Sequence, residues 1–365
     1  MMKKLNKKRK ILLSVAVAIV VFIGFCYAYY INELSAVNDK KEDIVFVVED
    51  GESFDSVLNR LQEEHLIKNR SFALIHAKLS NLTQYKAGSF ILNDQMSTDE
   101  ILRIMNDSSL AQRDQVLITF PEGRWAKDYA ELIEEQLGID QDELLKLWND
   151  SSYIETLAET YDFIDTKALD NKEYRVKLEG YLFPETYAFN KTATADDVTR
   201  TFLDQFADIY QKYETDMKAS NYSLQEIITL ASIVQYESAT SEDMKMIAGV
   251  FYNRLNADMP LQSTVTVCYA LYDDLDRSDK DSWRTCESST DIDSPYNTYL
   301  YDGLPIGPIV NPGEDAIEAV LHPQTSDYYY FIADINGVKG EAGKVYYSTT
   351  YKEHQKLQKE LKLIF

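Results

Sequence analysis

The chain has 365 residues, enough for one large or two moderate domains, and its 45% apolar and 27% charged residues exclude general disorder. The net charge of −23 is unevenly placed: Lys3, Lys4, Lys7, Lys8, Arg9 and Lys10 are six of the 37 basic residues, leaving 31 basic against 60 acidic groups from residue 11 onward. Such a surface repels phosphate backbones, and with no later basic run it argues against nucleic acid as a partner.

After the basic tail of residues 1–10, residues 11–30 form an uncharged apolar run of bilayer-spanning length. The preceding lysines place the tail in the cytoplasm and the rest of the chain outside. The run ends Phe25-Cys26-Tyr27-Ala28-Tyr29-Tyr30, without the small residues of a signal-peptidase site, so an uncleaved membrane anchor is expected rather than a signal peptide. Residues 31–43, polar and mixed in charge, read as a stalk.

Residues 44–112 then give a strand at 44–48, a turn at Asp50-Gly51, and a helix carrying Phe54, Val57, Leu58 and Leu61 to about Ile67. A second helix is expected over 71–79, a strand over 87–92, and a further helix opened by Ser97-Thr98-Asp99-Glu100. Residues 113–365 begin with a strand at 116–120, a Pro121-Glu122-Gly123-Arg124 turn, and helices to about residue 171. The predicted architecture is α+β: a single N-terminal transmembrane helix, a strand-helix-helix-strand module and an α+β domain after it.

The chemistry concentrates beyond residue 178. Ser223 and Glu226 have capping-box spacing, predicting a helix that runs through Glu237. Thr229 and Ser232 share a narrow polar side of it, while Leu230, Ile233 and Glu237 stack in one row. A carboxylate that continues an apolar row is disfavoured in its charged form, as a general acid requires. Glu179-Gly180-Tyr181-Leu182-Phe183-Pro184-Glu185 joins two carboxylates to aromatics and a rigid turn. Asn253, Gln262 and Ser263 follow the helix, and Tyr296 and Asn297 precede a Pro/Gly-rich loop at 303–313. The four histidines are scattered, without metal-ligand spacing, and no nucleotide-binding or serine-hydrolase motif occurs, so neither metal nor cofactor is expected. Cys268 and Cys286 could close a disulfide on the outer side or remain free buried thiols; spacing leaves both open.

Taken in this order, these segments resemble the endolytic murein transglycosylase (MltG, or YceG-like) family from about Ile44 to His354. Ala231-Ser232-Ile233-Val234-Gln235-Tyr236-Glu237 is similar to the family signature A-S-I-V-E-K-E, with Gln235 and Tyr236 as departures. The resemblance implies that the strand-helix-helix-strand module is LysM-like and that 113–365 is the catalytic domain. It further implies non-hydrolytic cleavage of the β-1,4 bond between N-acetylmuramic acid and N-acetylglucosamine in peptidoglycan, leaving 1,6-anhydro ends. Glu237 takes the catalytic role; Glu185, Asn253, Gln262, Ser263, Tyr296 and Asn297 are carried over as substrate-binding, with Glu179 a further candidate for orienting neighbours. Penicillin-binding proteins are expected partners by the same resemblance. Two other readings stand beside this one, a hydrolytic muramidase and a catalytically silent glycan-binding scaffold.

Overall fold

A computed structural model describes residues 7–38, 43–49, 51–107, 115–191, 193–238, 240–273, 275 and 285–363. The expectations for residues 1–6, for 39–42 of the stalk, for Asp50 and for most of 274–284 lie outside the described residues. The chain divides into two compact units, 1–117 with 188–191 and 118–187 with 192–365.

In the first unit, α1 (Lys7–Leu34) is followed by β1 (Asp43–Val48), α2 (Phe54–Glu63), α3 (Arg70–Leu79), β2 (Gly88–Asn93) and α4 (Thr98–Asn106). Among the described residues α1 is the one helix long and apolar enough to cross a membrane, and its window Val17–Leu34 is almost wholly uncovered by protein. Residues 32–38 are tied down: Lys68 Nζ donates to Asn32 O and Ser35 Oγ, and the Val37 and Asn38 amides donate to Asp94 O. β1 and β2 pair antiparallel with Phe46 opposite Phe90. These two rings, with Val57, Leu58, Leu61, Ala73, Ala77, Ile101 and Leu102, form the unit's core. The strand-helix-helix-strand order follows the expected alternation, with one difference: α2 stops at Glu63 because His65 turns left-handed at φ 57°.

β3 (Gln115–Thr119) pairs with β4 (Thr186–Asn190), the unit boundary falling within both strands. Between them lie α5 (Ala126–Leu137), α6 (Gln141–Asn149), α7 (Ser151–Ala158) and α8 (Thr166–Leu169). The long α9 (Ala195–Ala219) precedes α10 (Leu224–Glu237), α11 (Ser241–Asn256) and α12 (Thr264–Ala270), and the chain then forms α13 (Glu314–Leu321), a β5 (Tyr330–Ala333) and β6 (Val345–Ser348) hairpin, and α14 (Tyr351–Glu360).

The centre of the second unit is α10, which packs against α11, α12 and α13. Its capping box forms as the sequence predicts, with Ser223 and Glu226 each bonding the other's backbone. Every residue from Ile227 to Val234 is buried, so the helix has no polar side there. Thr229 and Ser232 are accommodated because their hydroxyls donate to the carbonyls of Gln225 and Thr229, both at 2.7 Å. Ser232 Oγ also accepts the Ile309 amide at 3.0 Å, fastening the Pro/Gly-rich loop to the helix. Gly180, at φ +87°, lies where a Cβ would meet Ile228 and Pro308 at 2.7 Å, so its missing side chain permits that close approach. Cys268 and Cys286 are joined in a disulfide, their Cα atoms 4.9 Å apart, which resolves the alternative left open by spacing.

Candidate active site

Glu237 is the last residue of α10, half-buried at the wall of a cavity of about 490 Å³. The cavity is bordered by the turn Leu261–Thr264, by Tyr299, by strand β5 and by α14. Ser263 Oγ donates to Glu237 Oε1 at 2.6 Å, while Oε2 has no hydrogen bond to any described residue. Ser263 stands at the N-cap of α12, where a hydroxyl ordinarily accepts from the first helical amides; here it makes no such bond and serves the carboxyl instead. Gln262 beside it is left-handed at φ 51°, with its amide donating to Thr298 O at 3.1 Å. That unusual backbone turns the exposed Gln262 side chain and the buried Ser263 hydroxyl into one cavity.

Burial pushes the Glu237 carboxyl above the ordinary carboxylate range, the Ser263 hydrogen bond pulls it down, the charge of Glu287 raises it and that of Arg254 lowers it; the net direction is up. Its place at a helix C-terminus, where unpaired carbonyls carry partial negative charge, works the same way. Arg254 is itself fixed: Nε donates to Tyr329 O at 2.6 Å, Nη1 to Leu261 O at 2.7 Å and Pro260 O at 3.1 Å, and the guanidinium lies 5.0 Å from the Tyr330 ring centroid. Tyr330 in turn stacks on His354, centroids 5.3 Å apart. Burial and the charge of Arg254 both hold the His354 imidazole below its usual range, so it is neutral near pH 7.

Three of the residues picked out from sequence, Glu237, Gln262 and Ser263, therefore share one cavity. The other four are not among its lining residues. Asn253 Nδ2 donates to the carbonyls of Ser326 and Tyr328, both at 2.8 Å, clasping the chain before β5. The buried Tyr296 hydroxyl accepts the Arg175 amide at 3.3 Å, its ring edge-on to Tyr269. Asn297 donates to Thr290 O and Ile292 O and accepts the Tyr299 amide at 2.9 Å, so it reaches the cavity only through Tyr299. Glu185 is exposed, with Oε1 accepting the Thr186 amide at 2.9 Å. Glu179 is buried away from the cavity, accepting from the Ala126 amide, the Asn311 side chain and the Tyr269 hydroxyl, a structural hub at the start of α5. Arg254, Tyr299, Tyr330, Tyr351 and His354 line the cavity without having been singled out. The abundance of tyrosine was the available signal, but it could not say which rings would converge.

The two departures from the signature sit next to the carboxyl. Gln235 projects to another side of α10, where its Oε1 accepts the Gly313 amide at 2.9 Å and its Nε2 donates to Glu122 Oε2 at 3.2 Å. It bridges the Pro121–Arg124 turn to the Pro/Gly-rich loop and takes no part in the cavity.

A carboxyl shifted up by burial, anchored through one oxygen and lining an aromatic-walled cavity, is the equipment of a general acid–base site. The chain matches the profile of the YceG-like family over residues 46–360. It is 31% identical over 340 residues to the endolytic murein transglycosylase of Bacillus subtilis, covering 93% of this chain and 90% of that one. The protein of the same name from Streptococcus pneumoniae is 30% identical over 91% of this chain, which spans 61% of that longer relative. A crystal structure of a YceG-like protein from Listeria monocytogenes superposes with a TM-score of 0.59 at 33% identity, over 87% of this chain and all of the other. The chain belongs to the YceG-like family.

Proposed function

We propose that this protein is an endolytic peptidoglycan lytic transglycosylase, held on the outer face of the membrane by α1, with Glu237 as its sole acid–base group. The observation that carries the reading is the Glu237 carboxyl, anchored through Oε1 by Ser263 and open through Oε2 to a cavity walled by Tyr299, Tyr330 and Tyr351, in a chain whose relatives bear that name. Burial favours the protonated form of the carboxyl, and Oε2 gives that proton to the glycosidic oxygen between N-acetylmuramic acid and N-acetylglucosamine. The resulting carboxylate, stabilised by Ser263 and by the charge of Arg254, takes the proton of the C6 hydroxyl as that oxygen closes on C1. One bond breaks, one ring closes, and the proton count is restored without water. Gln262 and Ser263 are positioned to meet the polar groups of the sugar, and the tyrosine faces suit stacking against its ring.

Gln235 supports activity rather than a silent scaffold, since its side chain is engaged with the two loops and not with the cavity. We read the strand-helix-helix-strand module as LysM-like, a weak glycan holder or spacer, and residues 113–365 as carrying the catalysis. The basic residues at 3–10, ahead of the apolar run, support a cytoplasmic N-terminus. Cutting or terminating nascent strands beside penicillin-binding proteins is the role this topology suits.

The test is product analysis: the full chain in detergent, with and without Glu237→Gln, incubated with intact glycan strands and read by mass spectrometry. Internal cleavage with 1,6-anhydro ends, lost in the variant, is expected. Reducing ends would instead favour a hydrolytic muramidase, which needs a second carboxylate beside Glu237. Intact strands from both proteins would leave the scaffold.

A further inference from the structure

The surface of α3 next to the anchor is apolar and uncovered. Along α1, the described side chains from Val15 to Tyr29 are exposed, and Tyr30 is the first to be partly covered. Tyr29 and Tyr30 pack on Phe72 of α3, at 5.6 and 6.0 Å between ring centroids. The Tyr30 hydroxyl lies 2.7 Å from His76 Nδ1, and His76 Nε2 lies 2.8 Å from Asp99 Oδ1. Through this Tyr30–His76–Asp99 chain the anchor is latched to the module. Residues 11–30 at 1.5 Å per residue measure about 30 Å, the thickness of the hydrocarbon layer. Where α1 leaves that layer it is already gripped by α3, so α3 lies at headgroup depth with no clearance.

On α3, Phe72 and His76 face α1. At 100° per residue Leu79 falls between Phe72 and Ile75, so the apolar stripe continues round the helix from the anchor. Ile75 is 49% and Leu79 74% exposed, and Tyr29, which packs on Phe72, is itself 50% exposed. Lys78, exposed on the same side, suits a lipid phosphate.

We propose that α3 is an interfacial helix that seats the first unit on the outer leaflet, Ile75 and Leu79 entering the acyl boundary and Lys78 meeting the headgroups. Resting on the reading of α1 as a membrane anchor, it makes the bilayer a second support for the module rather than a surface held at a distance by a stalk.

The full chain with Cys26→Ser, the disulfide intact, carries single cysteines at Ile75, Leu79 or Phe22, labelled with an environment-sensitive fluorophore in phosphatidylglycerol-containing nanodiscs. Labels at 75 and 79 should be quenched by shallow nitroxide lipids about threefold more than by iodide, approaching the Phe22 label within the span. Quenching by iodide at the level of the free label overturns the proposal, as does shielding from both quenchers, which would indicate a second copy or another protein on this face. Extraction of the chain by alkaline carbonate would sink the anchor reading itself, an outcome separate from water-exposed labels on an integrated chain.

Discussion

Glu237 sits where its charged form is disfavoured. Its carboxyl is raised, first by burial, so the acid form is present below the shifted value and general-acid activity falls as pH rises through it. Ser263→Ala removes a hydrogen bond that lowers this value, so the alkaline limb of the rate profile should move to higher pH while the rate drops through lost positioning; a pH series of product release measures both. Glu237→Gln should cost about 10²–10⁴-fold in strand cleavage. A carboxyl whose folded value lies above its unfolded one favours the fold at low pH and loses that advantage as pH rises through the folded value. At neutral pH the native Glu237 is thus a liability, and Glu237→Gln, which can still accept from Ser263, should melt no lower than the parent in a calorimetric scan. The position of the carboxyl was legible from the row Leu230, Ile233, Glu237. The roles of Asn253, Tyr296 and Asn297 were not, because a residue type shows that a side chain can hydrogen-bond but not whether a backbone carbonyl claims it.

At the scale of elements, α10 and the loop at 303–313 approach closely. Ser232 bonds the Ile309 amide, Gln235 bonds the Gly313 amide, and Gly180 leaves room for Ile228 and Pro308. A Cβ at Gly180 has no space and an unfavourable backbone, so Gly180→Ala should destabilise the chain by about 1–3 kcal/mol, read from denaturant unfolding. The helix boundaries of α10 were readable because a capping box is local, each partner three residues from the other. The full burial of its Thr229 and Ser232 face was not, since what covers it comes from α13 and a loop some 80 residues away. The β5–β6 hairpin and α14 contribute Tyr330, Tyr351 and His354 to the cavity through tertiary placement, which no local sequence signal carries.

Over the whole chain, two units of different construction share one polypeptide, a small module tied to the anchor helix and a larger one built round α10. The disulfide lies in the second, closing a loop between Cys268 and Cys286. Replacing both cysteines by serine should lower the unfolding free energy by about 2–4 kcal/mol, checked by thermal melts of oxidised and reduced protein beside the variant. Cys268 lies on α12, the same seven-residue helix whose first turn goes without a serine cap because Ser263 attends to Glu237. A covalent staple thus relieves a hydroxyl of its housekeeping duty. A cell that failed to oxidise this pair would find the enzyme less sturdy, with a loosened α12 letting the Glu237 carboxyl drift from the Ser263 hydroxyl.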